Sequence, residues 1–222
     1  DCWPVDSWSC LDYYKRKKGL YHYTKAFFAP VLPLLEHEGD VIALYGVSDR
    51  LDDAEGTAHI RAYALDGTPR GEVEFPVVLP ANEATLLRTV TLDDLGIGYT
   101  PRVMPVEGNG QSVPQEFNGA LLDTVLYVDL TIGDIVYRNH LVFDRFRELR
   151  LQPATIQVTR EGNDLTLSTD VPAFGVFVET EQDVDLSDNC LNLEPGRPVA
   201  IRCSGDPGAV EVVHLLDLVA GI

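Results

Sequence analysis

The stretch TVLYVDLTIGDIVYRNHLVF, residues 124–143, decides the fold class. It contains two runs rich in apolar and β-branched residues, Thr124–Ile132 and Ile135–Phe143, separated by the dipeptide Gly133-Asp134. Such runs on either side of a two-residue turn predict an antiparallel β-hairpin, because glycine readily adopts the backbone twist of a tight turn. The stretch therefore indicates a protein built from antiparallel strands.

The same two-residue period extends toward the N-terminus. From Val31 onward polar and apolar residues alternate, most clearly in TAHIRAYAL at 57–65, and Gly39-Asp40 and Asp66-Gly67 mark turns between strands. About seven strands are expected up to Phe143. Short turns and no intervening helical pattern predict an immunoglobulin-like sandwich, for which about seven strands in about 100 residues are usual.

One segment interrupts this pattern. Residues 93–123 are rich in Gly, Pro, Asn and Gln and show no periodicity. A stretch of this length without periodicity is either a functional or mobile loop, or a partly ordered insertion between two strands. The insertion is the favoured interpretation, and the sequence assigns it no role.

A second alternating series follows a pause at 148–153. It begins with Ile156–Val158 and covers only about seventy residues, so its core is small for an independent domain and we expect it to lean on the first sandwich. The predicted domains are therefore 31–150 and 151–222. Further strands of the second domain are expected at 165–167, 175–178, 184–186, 191–193, 199–203 and 209–218.

The first thirty residues look different. They hold both tryptophans, and Asp12 is placed to cap a helix from Tyr13 to Ala29 that Pro30 ends. Large apolar residues recur at helical spacing, so this face must pack against a substantial partner surface. The predicted face consists of Leu20, Tyr23, Phe27 and Phe28.

Charge excludes some partners. The formal net charge is −18 and the pI is about 4.4, which argues against nucleic acid and against an anionic membrane surface. No apolar run approaches the ~20 residues of a membrane helix. The chain starts with Asp1 and shows no signal-peptide pattern, so we expect an excised piece of a longer protein, and whether it is cytoplasmic, periplasmic or secreted stays open.

The usual catalytic and metal-binding patterns are missing. The five histidines show no metal-ligand spacing, and there is neither a nucleophile elbow nor a phosphate-binding glycine loop. The acidic series Asp183, Asp185 and Asp188 resembles a calcium loop but lacks its central glycine and closing glutamate. We therefore expect no catalytic residue, no metal and no cofactor.

The four cysteines do not form a recognisable set. Cys2 and Cys10 have no partner pair at zinc-ligand spacing. Cys190 and Cys203 are close enough in sequence to face each other on neighbouring strands, which leaves a disulfide and two free buried thiols as alternatives.

The opening segment resembles a known family. DCWPV at 1–5, SWS at 7–9, DYY at 12–14 and YHYTKAFFAP at 21–30 are similar to the closing segment of the catalytic barrel in family 2 β-mannosidases. Weaker similarities to strand ends in the two C-terminal domains of that family lie at 138–143, 187–189 and 193–196. The resemblance thus spans the whole chain and is most specific at its start.

The resemblance implies a fold and a function. The fold is all-β: two immunoglobulin-like β-sandwiches, preceded at 1–30 by a loop and one α-helix left over from a (β/α)8 barrel. The chain would be the C-terminal accessory region of an exo-acting, retaining β-mannosidase that removes terminal non-reducing β-D-mannose. Enzymes of this family use two glutamates on earlier barrel strands as acid/base and nucleophile. Neither lies in this chain, so alone it should be inactive.

The resemblance also implies site residues and partners. Asp1 and Trp3 would lie at the rim of the sugar pocket in the intact parent, although packing is an equal role for Trp3. The expected partners are the absent catalytic barrel and a β-mannoside substrate, and a homodimer is left open. The related exo-β-glucosaminidase and β-galactosidase branches are alternatives, but Cys2 and the exit FFAP at 27–30 favour the mannosidase branch.

Two other classes of function stay open. A carbohydrate-binding accessory module would hold mannan chains, but it usually presents an exposed tryptophan, and none follows Trp8. A generic adhesion or interaction domain would not carry the opening segment.

Overall fold

The computed structural model describes residues 9–108 and 111–220, and for 103–108, 111–117 and 219–220 it describes the backbone alone. Within these residues the fold is all-β, with antiparallel strands and two short helices. Neither described helix is long and apolar enough to cross a membrane. The chain forms two compact units. One is Pro30–Leu151, and the other combines the opening segment up to Ala29 with the chain from Gln152 onward.

The first unit is a two-sheet sandwich with the expected seven strands and one inserted hairpin. The strands are β1 Val31–Glu38, β2 Val41–Ser48, β3 Ala54–Ala64, β4 Pro69–Leu79, β5 Ala84–Thr91, β8 Thr124–Ile132 and β9 Ile135–Val142, and the inserted hairpin consists of β6 Arg102–Gly108 and β7 Gln111–Phe117. One sheet has the order β1-β2-β5 and the other β4-β3-β8-β9.

Alternation along the strands builds the core of this sandwich. In β2 the side chains of Ile42 and Leu44 are buried between the sheets, and in β3 Ala58, Ile60 and Ala62 point inward in the same way. Successive side chains of a strand point to opposite faces, so every second residue enters the core. The predicted hairpin at 124–143 is present, with Ile132 paired to Ile135 across the turn.

The inserted segment at 93–123 is more regular than the sequence indicated. It contains a 3-10 turn at Asp93–Leu95, the hairpin β6–β7 and a second 3-10 turn at Leu121–Asp123. The hairpin is held by pairing between backbone groups, which does not require an alternating side-chain pattern. Periodicity alone therefore could not reveal it.

The second unit contains a smaller sandwich. The strands are β10 Gln157–Glu161, β11 Asp164–Ser168, β12 Ala173–Thr180, β13 Leu191–Leu193, β14 Val199–Ile201 and β15 Val210–Val213. Its sheets have the orders β10-β11-β14 and β13-β12-β15. Its core includes Leu165, Leu167, Val176 and Leu193.

Two segments that were expected to be strands of this sandwich have a different structure. The segment 184–186 forms only a single bridge, Leu186 to Cys203. The strand expected at 209–218 ends early, and the helix α2 follows at Leu215–Ala220. The carboxylate of Asp217 accepts a hydrogen bond from the backbone N–H of His214 at 2.9 Å, a capping contact that favours this helix over a longer strand.

The helix of the opening segment also begins later than expected. The helix α1 spans Gly19–Phe27, not 13–29, and Lys18 at its N-terminus provides no side-chain cap. Asp12 closes a tight turn instead: its carboxylate accepts hydrogen bonds from the backbone N–H and the side chain of Arg16, and Leu11 pairs with Lys17. The side chain of Asp12 thus stabilises a turn in place of a helical start.

Candidate functional site

Two lysines of the opening segment hold it against the second sandwich. Lys17 Nζ lies 2.7 Å from Asp185 Oδ1, and Lys25 Nζ donates a hydrogen bond of 2.7 Å to the carbonyl oxygen of Ser187. The Lys17 ammonium also lies 5.3 Å from the centroid of the Tyr21 ring, within cation–π range. Both lysines therefore bind one three-residue stretch of the sandwich.

His22 is the buried residue on the inner face of α1. Its side chain is 4% exposed, and Nδ1 lies 3.5 Å from Asp188 Oδ1 without a hydrogen-bond partner among the described residues. Burial lowers the pKa of His22; Asp188 opposes this shift, and the charges of Lys17 and Lys25 add to it. The imidazole is consequently neutral at pH 7.

A glycine lets α1 approach the sandwich closely. A Cβ atom at Gly19 would lie 2.9 Å from Cys190 Sγ, closer than such contacts allow. Burial, and then the charge of Asp188, raise the pKa of the Cys190 thiol. Burial likewise raises the pKa of Tyr23, although a hydrogen bond with Asn192 opposes the shift. Cys10, Cys190 and Cys203 are all free thiols.

Asn189 fixes the stretch that receives the helix. Its side-chain Oδ1 accepts a hydrogen bond from Val178 N at 2.8 Å, and Nδ2 donates one to Val178 O at 2.9 Å. Oδ1 also accepts from the backbone N–H of Cys190 at 2.8 Å, which helps hold Cys190 at its positive φ of 56°. The Ser187–Asn189 motif seen in the sequence is therefore the anchor of this segment on β12.

The outer side of the opening segment is apolar and exposed. Tyr13 and Tyr14 are 70% and 75% exposed, and Phe27 and Phe28 are 60% and 80% exposed. We call these four residues the aromatic belt. Phe27, Phe28 and Leu20, which is 40% exposed, are therefore not buried within this chain, and the partner surface expected for their face stays a prediction. The face that packs inward carries Gly19 and His22 in their place, because only a small residue permits the close approach of the helix.

A larger open cleft of about 930 Å³ lies between the opening segment and β12. Lys15 and Arg16 line one wall, and Glu179, Glu181 and Asp183 line the other. Walls of opposite charge attract each other, which adds to the direct contacts that hold the segment in place.

The sequence named two sets of residues for a possible site. Asp1 and Trp3 lie outside the described residues, so their role at a sugar pocket stays a prediction. Asp183, Asp185 and Asp188 belong to no group of metal-binding side chains among the residues that the structure describes. Asp185 and Asp188 face the opening segment instead.

Three histidines outside the opening segment contact polar groups of their own sandwich. His37 Nε2 lies 2.8 Å from the carbonyl oxygen of Gly39, and His214 Nε2 lies 3.1 Å from that of Ala154. His59 is 2.9 Å from Glu72. Burial lowers the pKa of His140.

Sequence reasoning missed the residues that join the segment to the sandwich. One signal was available, since all four lysines of the chain lie between positions 15 and 25, while the stretch 183–188 carries three aspartates. That complementary pair of charged stretches indicates a contact, but only the folded chain shows which charges meet.

Family models match most of the chain. Residues 40–148 match the Mannosidase Ig/CBM-like domain. Residues 151–217 match the Ig-fold domain of the mannosidases. These matches agree with the two sandwiches of the structure.

Curated relatives show the same likeness. A β-mannosidase of Capra hircus is 32% identical over 97 residues, which are 43% of this chain and 11% of the relative. β-Mannosidase B of Thermothelomyces thermophilus is 25% identical over 236 residues, covering 92% of this chain and 25% of the relative. The chain thus spans between about a tenth and a quarter of the length of these relatives.

Solved structures share the fold. The crystal structure of a β-D-mannosidase from Dictyoglomus thermophilum matches 96% of this chain and 25% of its own, with a TM-score of 0.71 and 23% identity. An exo-chitosanase from Amycolatopsis orientalis matches 94% of this chain and 29% of its own, with a TM-score of 0.53 and 17% identity. At these identities the likeness concerns the fold alone.

Proposed function

Because the chain belongs to the paired immunoglobulin-like region of the family 2 mannosidases, an accessory region of a glycoside hydrolase, we propose that it supports the catalytic barrel of an exo-acting, retaining β-mannosidase. The parent enzyme would remove terminal non-reducing β-D-mannose residues. The chain itself would supply no catalytic group, since the two glutamates of such enzymes belong to earlier strands.

The observation that carries this proposal is the two-sided character of the opening segment. Its inner side is fixed to the second sandwich through the polar contacts of Lys17 and Lys25 and the burial of His22. Its outer side presents the aromatic belt, whose rings are mostly exposed. Exposed aromatic groups of this size, clustered on one short segment, are typical of a surface that another body covers. The proposed occupant is the rest of the barrel.

A paired variant in the intact enzyme tests this role. We expect Phe27→Ser together with Phe28→Ser to lower the temperature of thermal inactivation by several degrees in the intact enzyme, because about 1.5–3 kcal/mol is lost for each large apolar side chain that is no longer buried. In the isolated chain the same double change should lower the unfolding temperature much less, since both rings are already mostly exposed there.

A matched control comes from the first sandwich. Leu51 is 91% exposed there, and Leu51→Ser should have no effect in either form of the protein. Equal effects of the phenylalanine pair in the intact enzyme and in the isolated chain would contradict the proposed docking. Hydrolysis of an aryl β-mannoside by the isolated chain would contradict its accessory role.

Assays of the intact enzyme separate the related branches. A β-mannosidase should cleave an aryl β-mannoside faster than the corresponding β-glucosaminide or β-galactoside. Preference for either of the other two substrates would move the parent to the exo-β-glucosaminidase or β-galactosidase branch.

A second candidate function is sugar binding by the first sandwich. On the solvent face of the sheet β1-β2-β5, Tyr45 pairs with Leu34 on one side and Leu86 on the other. Leu34 and Leu86 are 36% and 49% exposed. An aromatic ring in a flat apolar row offers a stacking surface for a sugar ring, and the matched domain is described as Ig/CBM-like.

Calorimetric titration distinguishes this candidate from a purely supporting role. Mannobiose and mannotriose should give saturable heat with the chain, and Tyr45→Ala should abolish it. Leu51→Ser is again the control, because Leu51 lies outside the three strands of this row. If the unaltered chain gives no saturable heat, only the supporting role remains.

A further inference from the structure

A small cleft at the junction of α1 and the second sandwich has an unusual charge for this protein. Its volume is about 340 Å³. Among the residues that the structure describes, the cations lining it are Lys17, Lys25 and Arg202, and the one carboxylate is that of Asp185. In a chain with a formal net charge of −18, an excess of two positive charges within one cleft is a local reversal of sign.

Only one of these cations is neutralised. Lys17 forms the ion pair with Asp185 at 2.7 Å. Lys25 donates to the carbonyl oxygen of Ser187, which carries no net charge. No carboxylate of the described residues forms an ion pair with Lys25 or with Arg202. The cleft therefore retains about two uncompensated positive charges.

Two of the three cationic side chains that line the cleft are already held in place. Lys17 is fixed between Asp185 and the ring of Tyr21, and Lys25 is fixed by the carbonyl of Ser187. An ammonium group has three N–H donors, so each lysine keeps donors for a further acceptor. Donors that are ordered before binding reduce the conformational entropy that a ligand must overcome.

We propose that this cleft binds a small dianionic oxyanion, phosphate or sulfate. The Lys25 ammonium and the Arg202 guanidinium would provide the charge that matches the dianion, and the remaining N–H donors of Lys17 would complete its hydrogen bonds. A monoanion such as chloride would leave one positive charge unmatched. Neither the sequence patterns nor the family resemblance assigned a binding role to the residues of this cleft.

Amide chemical shifts of the full chain test the site. Phosphate replaces chloride at constant ionic strength, and saturable shifts should appear at 21–25, 185–187 and 202–204. Because solvent and salt screen exposed charges, we expect a Kd on the order of 1 mM. Sulfate should bind equally well from pH 6 to 8, whereas phosphate should bind more weakly at the lower pH, where it loses its second charge.

Charge-removing variants decide the outcome. Lys25→Gln and Arg202→Gln should each weaken binding roughly three- to tenfold, as expected for the loss of one solvent-screened charge pair. Lys15→Gln removes the same charge from the same segment outside the cleft and should leave binding unchanged. Arg202→Gln keeps the test valid even if Lys25→Gln loosens α1. Shifts that do not saturate, or identical titrations for Arg202→Gln and Lys15→Gln, would overturn the proposal.

Discussion

Arg61 on β3 and Asp129 on β8 form an ion pair of 3.1 Å whose side chains are only 5% and 7% exposed. Both lie on the face of their sheet that points away from the main core of the first sandwich. A second cation, Arg138 on β9, lies 3.5 Å from the same carboxylate. The alternation of the sequence predicts solvent-facing side chains at these two positions, but the structure buries both of them.

Removing one partner of this pair should be costly. We expect Asp129→Ala to lower the free energy of unfolding by about 3–5 kcal/mol, because it leaves the Arg61 charge buried without its carboxylate. Replacing both residues, by Arg61→Met and Asp129→Leu, should cost less than the single change. Urea denaturation measures both values, and Asp52→Ala, an exposed carboxylate of the same domain, serves as control. A cost for Asp129→Ala no larger than that of the control would contradict the expectation.

Two glycines in the inserted segment provide a matched pair. Gly96 has a φ of +67°, and a Cβ atom there would lie 2.7 Å from the carbonyl oxygen of Arg70. Gly96→Ala should therefore destabilise the first sandwich by about 1–3 kcal/mol, from left-handed backbone strain and the close contact together. At Gly98 no atom of the described residues lies within 4 Å of such an atom, so Gly98→Ala should change stability by less than about 0.5 kcal/mol. Thermal unfolding of the two variants checks the difference, and equal effects would exclude this explanation.

The side chain of Asn189 should be important for the second sandwich. Asn189→Ala leaves the N–H and C=O of Val178 without their partners, and we expect a loss of about 2–4 kcal/mol from two buried unsatisfied groups. Hydrogen exchange should accelerate at the Val178 amide. Gln182→Ala removes an exposed amide near the end of β12 and should leave the exchange rate unchanged. Unaltered protection of the Val178 amide in Asn189→Ala would show that this anchor is dispensable.

The pKa of His22 predicts how α1 responds to acid. Because burial lowers this pKa below its ordinary value of 6.5, the unfolded segment takes up a proton before the folded one. The contribution to stability is complete above pH 6.5 and is lost as the pH falls from there toward the lowered pKa. The protection factors of the α1 amides, which are corrected for the base-catalysed intrinsic exchange rate, should therefore fall between pH 7.5 and 5.5.

His22→Gln separates this effect from other titrations. The variant removes the titrating group, so the fall of the α1 protection factors should become smaller over the same pH range. His140, whose pKa burial also lowers, lies in the other unit and should continue to affect only the amides of the first sandwich. An identical pH dependence of α1 protection in His22→Gln would contradict the role of His22.

Much of the fold could be predicted, because strand alternation and turn residues act locally. The hairpin at 124–143 follows from two apolar runs around Gly133-Asp134, and the alternation at 57–65 corresponds to the inward-facing residues of β3. The helix start at Gly19 could not be predicted in the same way. Asp12 is an equally good cap for a helix and for a tight turn, and the choice depends on how Leu11 and Lys17 pair.

For the candidate site, the sequence could predict only which charged stretches it contains, not which residues are in contact. The sequence shows lysines confined to 15–25 and aspartates at 183–188, but their contacts join residues more than 160 positions apart. Helical periodicity identified a large aromatic face, whereas the packed face is rotated by one position toward Gly19 and His22. The helix face that packs inward is set by Gly19, which has no side chain to collide with Cys190. No local sequence pattern predicts that contact.

By itself, the sequence determined the all-β class, the two successive sandwiches and the likeness to mannosidases, since alternation, turn residues and the opening motif are all local properties. Only the tertiary structure decided that the opening segment packs on the second sandwich, that its aromatic belt faces solvent, and that Lys25 and Arg202 share one cleft. These arrangements depend on which distant surfaces fit closely enough to exclude water and match charge, and that fit exists only once the chain has folded.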